Sequence, residues 1–190
     1  MALSALSDEL MRAEGMMMQD QNDEALELLL RLAEDAEEYV DCNCQTTDEV
    51  QYFAFPTLFD RLAYRRVEND PRKLEDVHEP FDRLYGDLAM AYVRTGDYEN
   101  AMNALKTAIR WNPMNCGFRL DLADLFKIAG DIREHIALTF GVFERASEAR
   151  HLTRAFLNFA AWFEAQGRLE QAAACLRAAR RFEVKDSTLE

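Results

Sequence analysis

Cys42 and Cys44, one residue apart, are the closest pair of soft-metal or redox ligands in this 190-residue chain. A closed zinc site needs a second such pair, and no Cys or His pair stands at a supporting spacing. Cys116 and Cys175 fall in apolar helical runs, where a thiol behaves as a small core group. His78, His135 and His151 are isolated, with no Cys or carboxylate placed to complete a triad or a metal motif. Met16, Met17 and Met18 read as helix packing rather than a soft-metal site. All seven glycines are solitary, so no phosphate-cradling loop exists. Acidic pairs are many, but carboxylates catalyse only in a cleft that shifts their acidity. These residues predict no catalytic set, no metal and no cofactor, and hence a protein that is not an enzyme.

The elements that would position any binding residue are plainer. Gly96, Gly130 and Gly167 recur 34 and 37 residues apart, each at one place in a pattern of small and aromatic residues. Residues 82 to 115 carry Tyr85, Leu88, Ala89, Tyr92, Gly96, Ala101, Leu105, Ala108 and Pro113. Residues 153 to 186 repeat Phe156, Phe159, Ala160, Phe163, Gly167, Ala172, Leu176 and Ala179, without the closing proline. Residues 116 to 149 keep Leu122, Ala123, Phe126 and Gly130. Small residues such as Ala89 and Ala101 let two antiparallel helices approach, with aromatics filling the space beside them. The glycines can take the left-handed conformation that ends a first helix. Asp97 and Asp131 can then cap the second, and Pro113 suits the break between hairpins.

This pattern resembles the tetratricopeptide repeat family. The run from Tyr52 to Tyr64 followed by the repeats is similar to uncharacterised bacterial tetratricopeptide proteins, a likeness with no assigned activity. The resemblance implies an all-α fold, a right-handed superhelix of antiparallel hairpins with about three clear repeats. In the middle one, His135 replaces the small residue of the second helix, Thr139 replaces a large apolar one, and three extra residues follow. A wider helix crossing and a local twist are expected there.

The resemblance also implies a concave groove lined by the first helix of each pair. Its inward positions fall on Arg83, Asp87, Met90 and Arg94, then on Leu120, Asp121, Asp124 and Lys127, then on Arg154, Leu157, Asn158 and Ala161. Family members that bind chaperone tails hold a terminal carboxylate with Lys, Asn and Arg. Here the corresponding places carry Gly86 and Met90, Gly117 and Asp121, and Leu157, so that clamp is absent. Arg83, Arg94 and Arg154 could pair an acidic group, while Met90, Leu120 and Leu157 offer apolar contact to a peptide. The groove is either open or filled by the protein's own 41–80 segment.

Residues 4 to 40 predict another hairpin, with Leu3, Leu6, Leu10, Ala13 and Met17 in one helix and Ala25, Leu28, Leu29 and Leu32 in the next. Gln19 to Asn22 forms its turn, with Asn22 or Asp23 as cap. It is a divergent repeat or a helical cap. Asp41 to Thr47 predicts a loop, and Pro56 the first turn of a helix running to about Arg66. Asn69 to Pro80, with two prolines and many charges, predicts a linker with at most a short helix. Tyr52, Phe53, Phe55, Phe59 and Tyr64 form an aromatic cluster that must be buried, against the first hairpin or the helix beginning near Phe81. Together, 1–40, 41–80 and 81–190 predict one helical domain over 1–190.

The net charge of −13 belongs to the N-terminal part: residues 1 to 81 hold 20 acidic and 7 basic side chains, residues 82 to 190 hold 15 of each. Nucleic acid, which needs clustered Lys and Arg, is excluded as a partner. Glu34, Asp35, Glu37, Glu38 and Asp41 crowd a predicted helix C-terminus, where the macrodipole disfavours carboxylates, so a cationic partner or neighbouring Arg residues should compensate them. No run approaches the length of a membrane span, and Met1 to Ser7 carries no basic residue before its apolar ones. A cytoplasmic chain with reduced thiols is expected. Arg177, Arg180 and Arg181 suit a solvated terminal helix, which leaves a monomer or a weak head-to-tail homo-oligomer. The function expected is a protein or peptide interaction scaffold; the alternatives are a peptide-sensing regulatory protein and, further off, a metal-dependent enzyme.

Overall fold

A computed structural model describes residues 3–182, with side chains from residue 5 onward. The Leu3 side chain and positions 183 to 186 of the last predicted repeat lie outside the described residues. The chain divides into two compact units, Met1–Met114 and Asn115–Glu190.

The first unit begins with α1 (Leu3–Met18) and α2 (Asn22–Asn43). Leu6, Leu10, Ala13 and Met17 of α1 and Ala25, Leu28, Leu29 and Leu32 of α2 are buried, the apolar stripe that the spacing predicts. The cap differs from expectation: Gln21 is the N-cap, with no side-chain hydrogen bond. Asn22 Nδ2 turns back to Asp20 Oδ1 instead. The predicted loop at Asp41 is still helix, and α2 runs on past Cys42.

Between the hairpins stands an element that the sequence pattern does not predict. Strand β1 (Val50–Phe53) pairs in parallel with β2 (Lys73–Asp76), Val50 opposite Lys73 and Phe53 opposite Asp76. Parallel neighbours need a crossover, and α3 (Leu58–Glu68) supplies it. Thr57, not Pro56, starts that helix, its side chain accepting from the Asp60 amide. Phe53, Phe55, Tyr64, Leu74 and Met114 form one core cluster. Phe53, Phe55 and Tyr64 are thus buried as expected, but against β2 and Met114, while Tyr52 is half-buried and Phe59 is 62% exposed. Asp70 closes the unit: it accepts from Tyr64 Oη at 2.9 Å and pairs with Arg72 Nη2 at 2.7 Å, while Arg72 Nη1 donates to Gln51 Oε1 at 2.8 Å.

The first unit ends with the hairpin of α4 (Phe81–Thr95) and α5 (Tyr98–Trp111). Ala89 and Ala101 are buried, and Phe81 lies 5.2 Å, centroid to centroid, from Trp111. The second unit comprises two further hairpins, α6 (Cys116–Ile128) with α7 (Ile132–Arg145) and α8 (Ala149–Ala165) with α9 (Leu169–Arg180). Gly96, Gly130 and Gly167 have φ of 84°, 84° and 71°, the left-handed turn predicted after each first helix. Asp97 accepts from the Asn100 amide and Asp131 from the Glu134 amide, as their positions predict. His135 and Thr139 are buried rather than lost to the surface. His135 Nδ1 is 2.9 Å from the Ala123 carbonyl oxygen, and Thr139 Oγ1 donates to the His135 carbonyl at 2.8 Å. Backbone carbonyls therefore satisfy the polar groups that the repeat pattern has no place for.

Candidate functional site

The residues expected to line a groove fall into two sets, one per unit. On α4, Arg83 and Asp87 lie one turn apart and face α1. Arg83 donates from Nη2 and Nε to Glu14 Oε1, at 2.6 and 2.9 Å. Asp87 Oδ2, 3.8 Å from Arg83 Nε, has no hydrogen-bond partner. Burial first and the Glu14 carboxylate second push the Asp87 carboxyl up to about 7. Arg94 Nη1 donates to the Met17 carbonyl at 3.0 Å. Met90, half exposed, is the free apolar member of this set. The α4 arginines are thus held by α1, not by the 41–80 segment.

In the second unit the same kind of cross-helix pairing recurs between α6 and α8. Arg154 forks between two carboxylates, Nη1 2.7 Å from Asp121 Oδ1 and Nη2 2.6 Å from Asp124 Oδ2. Leu157 follows three residues along α8, on the same helix face, and is 47% exposed. Lys127 is exposed at the end of α6. Asn158 Nδ2 contacts Thr139 Oγ1 at 3.4 Å. Ala161 is exposed. Leu120 corrects the expectation: it is fully buried with Cys116, Val142 and Ala155 and meets no ligand. In the repeat register it points inward, but in this hairpin it fills the space between α6, α7 and α8.

Two features of the second unit are not foreseen from the sequence. Ile132, Ile136, Ala137, Phe140, Phe159 and Trp162 line an open apolar cleft of about 480 Å³ between α7 and α8. Phe140, at 60% exposed, is its most accessible aromatic. The only signal for it is apolar spacing along α7, which reads equally as core. The second feature is His151, half-buried, whose imidazole burial pushes below its usual range.

Cys42 is exposed and Cys44 buried, and burial pushes the Cys44 and Cys116 thiols up, away from the reactive thiolate. Among the described residues no three His, Cys, Asp or Glu side chains converge as a metal-binding group. No described helix is long and apolar enough to cross a membrane.

Successive antiparallel hairpins, three of them turning at a left-handed glycine after the first helix, define a helical-repeat protein of the all-α class. Residues 82–115 match the family model of the tetratricopeptide repeat, and the all-α hairpin fold is of that kind. The fold is, in general terms, that of a protein-interaction scaffold. No curated protein matches the sequence. Among solved structures, MamA is 14% identical, with 93% of this chain and 96% of that chain covered and a TM-score of 0.47. A thermophilic TPR protein in Thermus thermophilus is 18% identical, with 95% and 93% covered and a TM-score of 0.46. At these values the likenesses carry no function across.

Proposed function

We propose that the chain is a non-enzymatic, cytoplasmic scaffold that binds a protein segment on the α6–α8 face of its second unit. The observation that carries this reading is Leu157 standing half exposed beside the Arg154 fork to Asp121 and Asp124. An apolar anchor ringed by polar groups is the arrangement that interface hot spots use. The carboxylates keep lone pairs for a partner's donors while Arg154 holds them in place. Lys127 adds a cation at the same helix surface, so the face suits a segment of mixed charge with one apolar side chain. On α4, Met90 offers a similar half-exposed contact.

Phe140 favours a second reading, in which the partner seats in the α7–α8 cleft. Affinity capture on the full chain, compared with Leu157→Glu and Phe140→Glu variants, separates the two. The α6–α8 reading expects a discrete partner lost with Leu157→Glu and retained with Phe140→Glu. The opposite pattern transfers the function to the cleft, and a partner set indifferent to both ends the scaffold assignment for this unit.

A further inference from the structure

Beneath β2 and the start of α4, within the first unit, lies an open cavity of about 510 Å³. Asp76, Glu79 and Asp82 stand on its wall, and Phe55, Leu58 and Pro80 give it apolar surface. The three carboxylates are not equally engaged. Asp82 Oδ2 accepts from Asn112 Nδ2 at 2.9 Å, and its Oδ1 accepts from the Arg83 amide. Asp76 Oδ1 accepts from the His78 amide at 2.8 Å, with the His78 ring 3.7 Å away. Glu79 is different: it is only 8% exposed, and its Oε2 is buried with no hydrogen-bond partner.

A buried carboxyl oxygen without a partner loses its hydration and gains nothing in return. Burial is the largest effect on both the Glu79 and Asp82 carboxyls and pushes them up from their usual range. Arg61, the guanidinium on the same wall, donates from Nη2 to the Leu74 carbonyl at 2.6 Å. The carboxylates do not converge as metal ligands. What fits is a cation with its own donors and an apolar stem.

We infer that this cavity binds an alkylammonium group, its nitrogen donating to Glu79 and its aliphatic chain lying against Phe55, Leu58 and Pro80. The ammonium supplies up to three donors to a wall with an excess of acceptors. The stem removes apolar surface from water on both sides. The group comes either from a free amine or from a lysine side chain of a protein, and this site is separate from the α6–α8 face.

Titration of the isotope-labelled full chain with n-pentylammonium, followed by amide shifts, tests the assignment. Saturable shifts confined to residues around 54–61 and 76–82 are expected, with n-pentanol producing none. Glu79→Gln, which keeps size and loses charge, should weaken the binding at least tenfold while the thermal transition stays in place. Equal binding of the alcohol, unchanged affinity in a folded Glu79→Gln chain, or no saturation at tens of millimolar would each overturn the inference. Since the alcohol comparison uses the unaltered chain, the test stands even where the variant does not fold. Acetyl-Ala-Lys-Ala-amide beside its norleucine counterpart distinguishes the sources: a lysine peptide that binds as well as the amine supports a protein ligand, and one that does not supports a free amine.

Discussion

Arg83 of α4 reaches Glu14 of α1 with two nitrogens on one carboxylate oxygen, at 2.6 and 2.9 Å. Arg154 of α8 does the equivalent toward α6, meeting Asp124 at 2.6 Å. In both units, then, the first helix of one hairpin is tied to the first helix of another hairpin by an arginine. The difference lies in what stands beside the arginine. Next to Arg83 is a second, half-buried carboxyl, Asp87; next to Arg154 is the exposed Leu157. The first arrangement is a joint built around a carboxyl that burial raises, and the second is the contact surface proposed above.

The joint should show in the pH dependence of the first unit's stability. Asp87 faces Glu14 on α1 and Arg83 and Asp82 on α4, and its carboxyl is held up to about 7 in the fold. The folded chain therefore binds a proton that the unfolded chain has released, and this contribution to stability falls as pH rises between the ordinary aspartate range and about 7. Asp87→Asn should flatten that slope and raise stability by ~1 kcal/mol at about pH 8. Thermal unfolding across pH checks it; a steeper slope in the variant contradicts it.

Asp70 carries the opposite sign. Hydrogen bonds from Arg72 hold its carboxyl well below the usual range, against a burial that works the other way. Its stabilisation is present above the ordinary aspartate range and is lost as pH falls through and below it. Asp70→Ala leaves the Arg72 guanidinium and the Tyr64 hydroxyl without their shared acceptor, so a loss of roughly 2–3 kcal/mol is expected. Hydrogen exchange of the β1 and β2 amides should accelerate with it.

The repeat was legible because its determinants are local. A glycine at positive φ, an aspartate one residue on and paired small residues each act through neighbours a few positions away. The strands were not, because each is four residues long and they join across α3. Lys73 to Asp76 contributes a single buried apolar side chain, Leu74, to a run that otherwise reads as linker. The surface was legible in part. Register placed Arg154 and Leu157 on a first helix, but it cannot say that Leu120, at an equivalent inward position, is taken up by packing with Val142 and Ala155. Nor does the sequence reveal that Arg83 and Arg94 already have acceptors on α1, since those lie 69 and 77 residues away.

Leu120 supplies a prediction that separates core from surface. Leu120→Ala should cost ~3–5 kcal/mol by opening a cavity, and Leu120→Glu should unfold the second unit. Leu157→Ala, at a half-exposed position, should cost under ~1 kcal/mol. Chemical denaturation of the variants decides; comparable losses at the two positions would contradict the burial described.

Gly167 should resist substitution for a backbone reason alone. A side chain there meets nothing within 4 Å, so space is not the constraint, while φ of 71° is. Gly167→Ala is expected to destabilise the α8–α9 hairpin by ~1 kcal/mol, and Gly167→Asn by less. Thermal unfolding of the two variants, ranked against the unaltered chain, checks the order.

The proposed scaffold function rests on the α6–α8 face holding a partner through Leu157. A photo-reactive residue placed at 157 in the full chain, with a second chain labelled at 140, reads this out. One discrete crosslinked protein is expected from position 157, diminished by Asp124→Lys, and only background from position 140. A partner captured from 140 alone, or capture at 157 that Asp124→Lys leaves unchanged, would contradict it.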